Sequence, residues 1–193
     1  MSLTIPAVPQ EAVTALAAAL PKIATSPAVA ANAPRAAAGV RRFMTARAAI
    51  SLPFFVLDLS DVRKGTMAAR QVGWRHLLPT GDPAGPVLAE TAIRDSNQHV
   101  FAGVTESPFV NDLEDQLLLL LTDPTVPAGS YDAALLQVPA IYVMAIWLQD
   151  TAHHHDLIAP VAPTPPSLTA GRQYSTSQFL DALRASTEQA RSS

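Results

Sequence analysis

The pattern of apolar and polar positions changes near residue 50, where helical spacing gives way to strand-like alternation. Val40, Phe43 and Met44 recur at the spacing of a helix within residues 35–50. Short links between the later segments favour antiparallel pairing. The sequence therefore predicts an α+β fold, in which a four-stranded antiparallel meander at about residues 53–104 packs with an N-terminal helix and three C-terminal helices. The predicted strands cover residues 53–57, 71–78, 87–94 and 99–104.

The first two C-terminal helices are predicted from apolar runs. Residues 107–122 begin with Ser-Pro, a good helix start, and contain five consecutive leucines at 117–121. Residues 131–148 have apolar positions near helical spacing, with Pro139 as a kink or boundary. We expect Leu118 and Trp147 to be buried.

The third C-terminal helix has a specific start signal. Ser175 is followed three residues later by Gln178, which is the spacing of a capping box. Tyr174 and Phe179 stand at the positions of a hydrophobic staple. We therefore expect this helix to begin at Ser175.

Proline positions suggest the domain organisation. Residues 1–33 are predicted to form an N-terminal helix at 10–20, which ends at Pro21, and a proline-punctuated linker. Residues 34–193 are predicted to form a single α+β domain. Within it, the proline-rich residues 157–174 are predicted to be an extended strap on the surface that carries the last helix.

Composition narrows the protein class. A hydrophobic content of 49% argues against disorder, and the lack of cysteine excludes thiol catalysis and disulfides. The longest apolar run, near residues 138–148, is shorter than the roughly 20 residues that a transmembrane helix needs. Glu11 is the only acidic residue among the first 57, a pattern also typical of organelle transit peptides. We favour the N-terminal helix of a cytoplasmic, soluble protein from a high-GC bacterium.

Charge is unevenly distributed. The net charge is +6 up to Arg75 and −9 from His76 onward. This asymmetry indicates that the basic helix around Arg41 and Arg42 contacts an acidic partner, or the acidic half of its own fold. Nucleic acid is an unlikely partner on this pattern, because no run of five like charges occurs and no aromatic residues interleave with the basic ones.

One cluster contains the residue types of a metal site. Three imidazoles and two carboxylates fall within residues 150–156, and these are ligands that zinc, nickel or non-haem iron accept. Adjacent histidines diverge on a helix, so distant ligands such as His76 or His99 would have to complete the coordination. We therefore assign no cofactor and keep the cluster as an alternative. Its members are Asp150, His153, His154, His155 and Asp156.

No catalytic motif is present. The sequence lacks a nucleophile elbow, a P-loop, a dinucleotide fingerprint and a zincin motif. Glu90, on the polar face of a predicted strand, is predicted to be solvated or paired with Arg75 rather than to act as a catalyst. Trp74 and Trp147 are predicted to anchor the core.

The leading function is a non-enzymatic protein-interaction or assembly module, and the leading state is a homodimer or one protomer of a hetero-complex. The argument is that the leucine run supplies more apolar surface than one protomer can cover. The expected contact residues are Leu117, Leu121, Arg41 and Arg42. The alternatives are a small-molecule or peptide binding domain, a metal-dependent enzyme that uses the histidine cluster and, less favoured, a cofactor-free hydrolase.

Overall fold

The structure, a computed structural model, describes residues 2–46, 50–79, 86–106, 108–122, 130–151 and 155–192. The described residues form six α-helices and nine strands, which confirms the α+β class. The helices are α1 (Gln10–Ala24), α2 (Pro27–Asn32), α3 (Pro34–Ala46), α4 (Leu59–Lys64), α5 (Pro108–Thr122) and α6 (Thr176–Ser192). The strands are β1 (Ser2–Thr4), β2 (Ile50–Val56), β3 (Arg70–Leu78), β4 (Val87–Ile93), β5 (His99–Thr105), β6 (Ser130–Val138), β7 (Val143–Asp150), β8 (Leu157–Val161) and β9 (Tyr174–Ser175).

The strands form a mixed sheet in the order β5-β4-β3-β2-β6-β7-β8-β9, and β1 also pairs with β6. Both β1 and β2 run parallel to β6, at Ser130–Asp132 and at 135–137 respectively. The pairs within β3-β4-β5 and within β6-β7-β8-β9 are antiparallel. The antiparallel groups β3-β4-β5 and β6-β7-β8-β9 thus belong to one sheet, in which β2 lies between β3 and β6.

All four strands of the predicted meander are present near their predicted positions, but the antiparallel pairing predicted for the first strand is wrong. β3, β4 and β5 follow one another through short links and are antiparallel. β2 instead pairs in parallel with β6, with Phe54 opposite Leu135. The apolar run in β2 is the signature of a strand covered on both faces, and such strands are typical of parallel pairing.

The helix predicted at residues 131–148 is wrong, because this segment forms the β6–β7 hairpin. A short 3₁₀ turn at Pro139–Ile141 links the strands, and Tyr142 follows in the left-handed conformation with φ 53°. The residues of β6 from Ala133 to Leu136 are all fully buried, so both faces of the strand are covered. A strand of this kind shows a continuous apolar run, which periodicity does not distinguish from a buried helix.

The helix starts were predicted more accurately. In α6 the Ser175 N–H donates to Gln178 Oε1 at 3.0 Å, and the Gln178 N–H donates to Ser175 Oγ at 3.4 Å. These two bonds confirm the capping box. Helix α3 begins at Pro34 as expected, and its Ala36 N–H is capped from a distant strand end by the Glu106 carboxylate at 2.6 Å.

Three proline-containing segments differ from the predictions. Helix α1 does not end at Pro21 but continues to Ala24. The predicted linker contains α2, whose N-terminus is capped by Ser26. The predicted strap at 157–174 begins with β8, and Ile158–Val161 are buried, so this part is an inner strand rather than a surface segment.

The chain divides into two compact units, and the boundaries between them fall within β2, β3 and α5. Unit 1 contains Met1–Pro6, Phe54–Gln71 and Asp115–Ser193, and unit 2 contains Ala7–Pro53 and Val72–Glu114. The division predicted at residue 33 stays a prediction. Within the described residues, every helix is too short or too polar to cross a membrane.

Each unit has its own apolar core. In unit 1, strands β6–β8 pack with α4 and α6 through residues such as Leu136, Ile158 and Phe179. The Trp147 ring there meets Phe55 edge-to-face, with ring centroids 5.2 Å apart. In unit 2, Leu16 and Leu20 of α1 pack with residues of α3, β3 and β4. Both tryptophans are buried, which confirms them as core anchors.

Candidate functional site

The carboxylates of the predicted metal cluster close the loop between β7 and β8. Asp156 accepts the Trp147 indole N–H through Oδ2 and the Asp150 N–H through Oδ1, each at 2.9 Å. Asp150 in turn accepts the His155 N–H at 3.3 Å through Oδ2. Both carboxylates therefore act as acceptors that hold the loop in unit 1.

The described residues contain no group of three or more potential metal ligands. His153 and His154 lie outside the described residues, so the metal alternative stays a prediction. Burial, and then the charges of Asp150 and Asp156, raise the pKa of the nearby Tyr131 hydroxyl. Two negative charges thus lie beside the first residues of β6.

A groove in unit 1 lies where this loop approaches α6; we call it the α6 groove. It has a volume of about 440 Å³. Its walls combine apolar side chains with an imidazole, a carboxylate and three hydroxyl groups. The lining residues are Gly65, Met67, His155, Asp156, Leu157, Ser175, Thr176, Ser177 and Leu180.

Helix α5 turns one side to the core and exposes leucines on the other. Its inner residues Val110, Leu113, Leu117 and Leu120 are buried at helical spacing. Leu118 is 51% exposed and Leu119 is 65% exposed, so the expectation that Leu118 is buried is wrong. Leu117 is fully buried, and the Leu121 side chain lies outside the description. Among the described side chains of α5, the exposed large hydrophobic ones are Leu118 and Leu119.

The predicted basic contact residues are on the surface of unit 2. Arg41 and Arg42 are both exposed on α3. Each also makes an interaction within the chain. Their exposure is compatible with contact to an acidic partner.

Three polar side chains, on three strands of unit 2, form a line of hydrogen-bond contacts that was not predicted from the sequence. Ser51 Oγ of β2 lies 2.9 Å from His76 Nδ1 of β3. His76 Nε2 lies 3.2 Å from Thr91 Oγ1 of β4. The imidazole, only 1% exposed, is therefore held on both sides by hydroxyl groups.

Burial keeps this imidazole neutral. Burial, and to a smaller extent the charge of His99, lower the pKa of His76 to about 4. A neutral imidazole has one N–H and one acceptor nitrogen. If Nε2–H donates to Thr91, Nδ1 is an acceptor for the Ser51 hydroxyl.

An ion pair lies on the opposite face of the same strands. Arg75 Nε donates to Glu90 Oε2 at 3.1 Å, which confirms the predicted pair. Burial lowers the pKa of Arg75, and the charge of Glu90 partly offsets this effect. The Glu90 carboxylate is thus the counter-charge of the buried Arg75 guanidinium.

Sequence reasoning missed Ser51 and Thr91 because their relation to His76 is not local. The three residues are separated by 25 and 15 positions and meet only through strand pairing. The available signal was the inward position of His76 in the alternation of β3. A polar side chain at such a position requires buried partners.

No protein-family model matches the sequence, and no curated protein sequence or solved structure is significantly similar to it.

Proposed function

We propose that this protein is a protein-interaction or assembly module that forms a homodimer through the outer face of α5. The observation that supports this function is the exposure of Leu118 and Leu119 in the middle of a helix whose other face is buried. A solvated helix face ordinarily carries polar residues at these positions.

The exposed apolar residues are concentrated in unit 1. Of the five large hydrophobic side chains that are exposed among the described residues, four belong to this unit. They are Ile5, Leu118, Leu119 and Tyr142, the last at the tip of the β6–β7 hairpin with 83% exposure. Complete burial of a leucine against a partner stabilises by about 1.5–3 kcal/mol.

A second copy of this chain is the partner we propose. A two-fold axis beside α5 would bring each leucine pair against its own counterpart, and most soluble oligomers have such closed symmetry. Arg41 and Arg42 of unit 2 are proposed as further contacts, because the later part of the chain carries a net charge of −9.

The test is the solution mass of the wild-type chain and of a Leu118→Gln/Leu119→Gln variant, measured by light scattering at micromolar concentration. We expect about twice the 20.4 kDa of one chain for the wild type and a single-chain mass for the variant. Val13→Gln is the matched control, since Val13 is a 42% exposed valine on α1 in unit 2, and this variant should stay dimeric. A monomeric wild type, or a double variant that remains dimeric, would contradict the proposal.

The α6 groove supports a second candidate, the binding of a small molecule. Its volume of about 440 Å³ falls within the range of ligand pockets, and its walls combine apolar and polar groups. Ligand-detected NMR on a library of small polar molecules, with wild type and a Ser177→Trp variant that narrows the groove, would test it. Ligands whose signals are unaffected by the variant would exclude the groove as their site. The metal-dependent enzyme remains a third proposal, which titration of the wild-type chain with zinc would test.

A further inference from the structure

We propose that Ser51, His76, Thr91 and Trp74 form an acyl-transfer site at which Ser51 is the nucleophile towards small uncharged esters. This inference is independent of the interaction role of α5. Its basis is the pair of contacts on the imidazole of His76, at 2.9 Å from Ser51 Oγ and 3.2 Å from Thr91 Oγ1. A serine becomes nucleophilic when an adjacent base accepts its proton and a third group orients that base.

The base is in the state that the chemistry requires. His76 is neutral at physiological pH because its burial disfavours the imidazolium. Thr91 is itself fully buried, so its hydroxyl gives the imidazole a fixed partner that solvent does not exchange. Ser51 is only half-buried, and it is therefore the member of the line that a substrate reaches.

The same sheet face holds a hydrogen-bond donor without a partner. Trp74 is two residues before His76 in β3 and stands opposite Thr91, so its side chain shares their face. Its indole N–H is buried and has no hydrogen-bond partner within the described part of the chain. A buried donor of this kind usually has a partner. The carbonyl oxygen of an ester is an acceptor that would satisfy it.

The surroundings define the substrate class. Leu78, Val87 and Ala89, on the same face, belong to the apolar core of unit 2. Apolar walls favour an uncharged acyl group over a carboxylate or phosphate, because burial of an ion without a counter-charge is costly. Because these three side chains are themselves fully buried, the space beside them suits only a short acyl group.

The reaction proceeds in two balanced steps. Ser51 Oγ attacks the ester carbonyl and its proton passes to His76 Nδ1, while Trp74 donates to the carbonyl oxygen. The ester C–O bond then breaks, the alcohol leaves with the proton from His76, and an acyl-serine remains. In the second step water attacks the acyl carbon and His76 takes a proton from that water. The bond between the acyl carbon and Ser51 Oγ then breaks, Ser51 Oγ takes the proton from His76, and the acyl group leaves as a carboxylic acid.

The experiment is labelling of the full chain with an alkyl fluorophosphonate, which forms a stable bond to an activated serine Oγ and releases fluoride. Peptide mapping by mass spectrometry should place the label on Ser51. Ser51→Ala should remove it, and His76→Gln should slow it at least about tenfold, since general-base catalysis typically contributes more than this. Ser186→Ala, which removes a buried serine of unit 1, is the matched control and should label at the wild-type rate.

A second readout separates catalysis from a structural role. Because the pKa of the base is about 4, hydrolysis of p-nitrophenyl acetate at Ser51 should keep a constant rate from pH 6 to 7, after the rate of Ser51→Ala is subtracted. A rate that titrates near 6.5 would overturn the role of His76. Absence of the label from Ser51 in the wild-type chain would overturn the proposal as a whole, whether or not the variants fold.

Discussion

Two glycines, in the strands on either side of β4, differ in the space available for a side chain in unit 2. A Cβ placed on Gly73 of β3 would collide with the backbone carbonyl oxygen of Thr91, which belongs to the paired strand. A Cβ placed on Gly103 of β5 would meet no atom within 4 Å. Gly73 therefore allows the close approach of β3 and β4 that the contact of His76 with Thr91 needs.

Substitution of these glycines should have opposite outcomes. Gly73→Ala should lower the free energy of unfolding by at least about 3 kcal/mol, because the clash involves backbone that has to move. Gly103→Ala, the matched control, should change it by less than about 0.5 kcal/mol. Urea unfolding followed by tryptophan fluorescence measures both. Equal stabilities for the two variants would contradict the close approach at Gly73.

At the scale of elements, the start of α6 depends on Tyr174 as well as on the capping box. Tyr174 is buried in the core of unit 1, in the same cluster as Phe179, which is consistent with the hydrophobic staple. Its hydroxyl oxygen also accepts the Thr169 N–H at 3.0 Å, and the Arg172 guanidinium lies 5.0 Å from the ring centroid. The residue thus joins the segment before α6 to the core.

Tyr174→Ala should lower the free energy of unfolding by about 3–5 kcal/mol, the range for loss of a buried aromatic ring. Tyr174→Phe keeps the ring and loses only the bond from Thr169, so it should cost about 1 kcal/mol. Denaturant unfolding of both variants separates packing from hydrogen bonding. Similar losses in the two variants would mean that the hydroxyl group, rather than the ring, is the main contribution.

The elements that the sequence predicted correctly have local signals. Ser175 and Gln178 identify the start of α6 within four residues, and the alternation in β3 and β4 requires no knowledge of their partners. The β6–β7 hairpin lacks such a signal, because coverage of both faces removes the alternation that distinguishes a strand. Pro139, interpreted as a kink or boundary of a helix, is the first residue of the turn between these strands.

The candidate sites were less predictable than the elements. Which leucines of α5 are exposed depends on the rotation of the helix against its core, and a run of five leucines does not indicate that rotation. The contact of Ser51 with His76 depends on the pairing of strands that are 25 positions apart. The pair of Arg75 and Glu90 was one of the two outcomes predicted for Glu90, since opposite charges on adjacent strands at a short link are a local pattern.

At the scale of the whole molecule, the buried imidazole should make stability depend on pH. The pKa of His76 is about 4 in the folded chain and near 6.5 in the unfolded chain. Between these values only the unfolded chain binds the proton, so the free energy of unfolding should fall as pH decreases from 6.5 to 4. The total loss from this residue is about 3 kcal/mol.

The measurement is urea unfolding at several pH values for the wild type, His76→Gln and the control His155→Gln. His155 lies in the loop of unit 1, so its variant should keep the wild-type dependence on pH. The profile of His76→Gln should be flatter between pH 4 and 6.5. Parallel profiles for wild type and His76→Gln would contradict the assignment of a neutral, buried imidazole.

The pairing of β1 with β6 has a consequence for the synthesis of the protein. Ser2 stands opposite Ser130, so β1 has no partner until the chain has been made as far as β6. Unit 2 is complete once Glu114 has been added, whereas unit 1 needs residues as far as α6. At roughly 5–20 residues per second, synthesis from Glu114 to Asp132 takes about 1–4 s, during which β1 has no partner. Unit 2 should therefore be able to fold during synthesis before β1 pairs with β6.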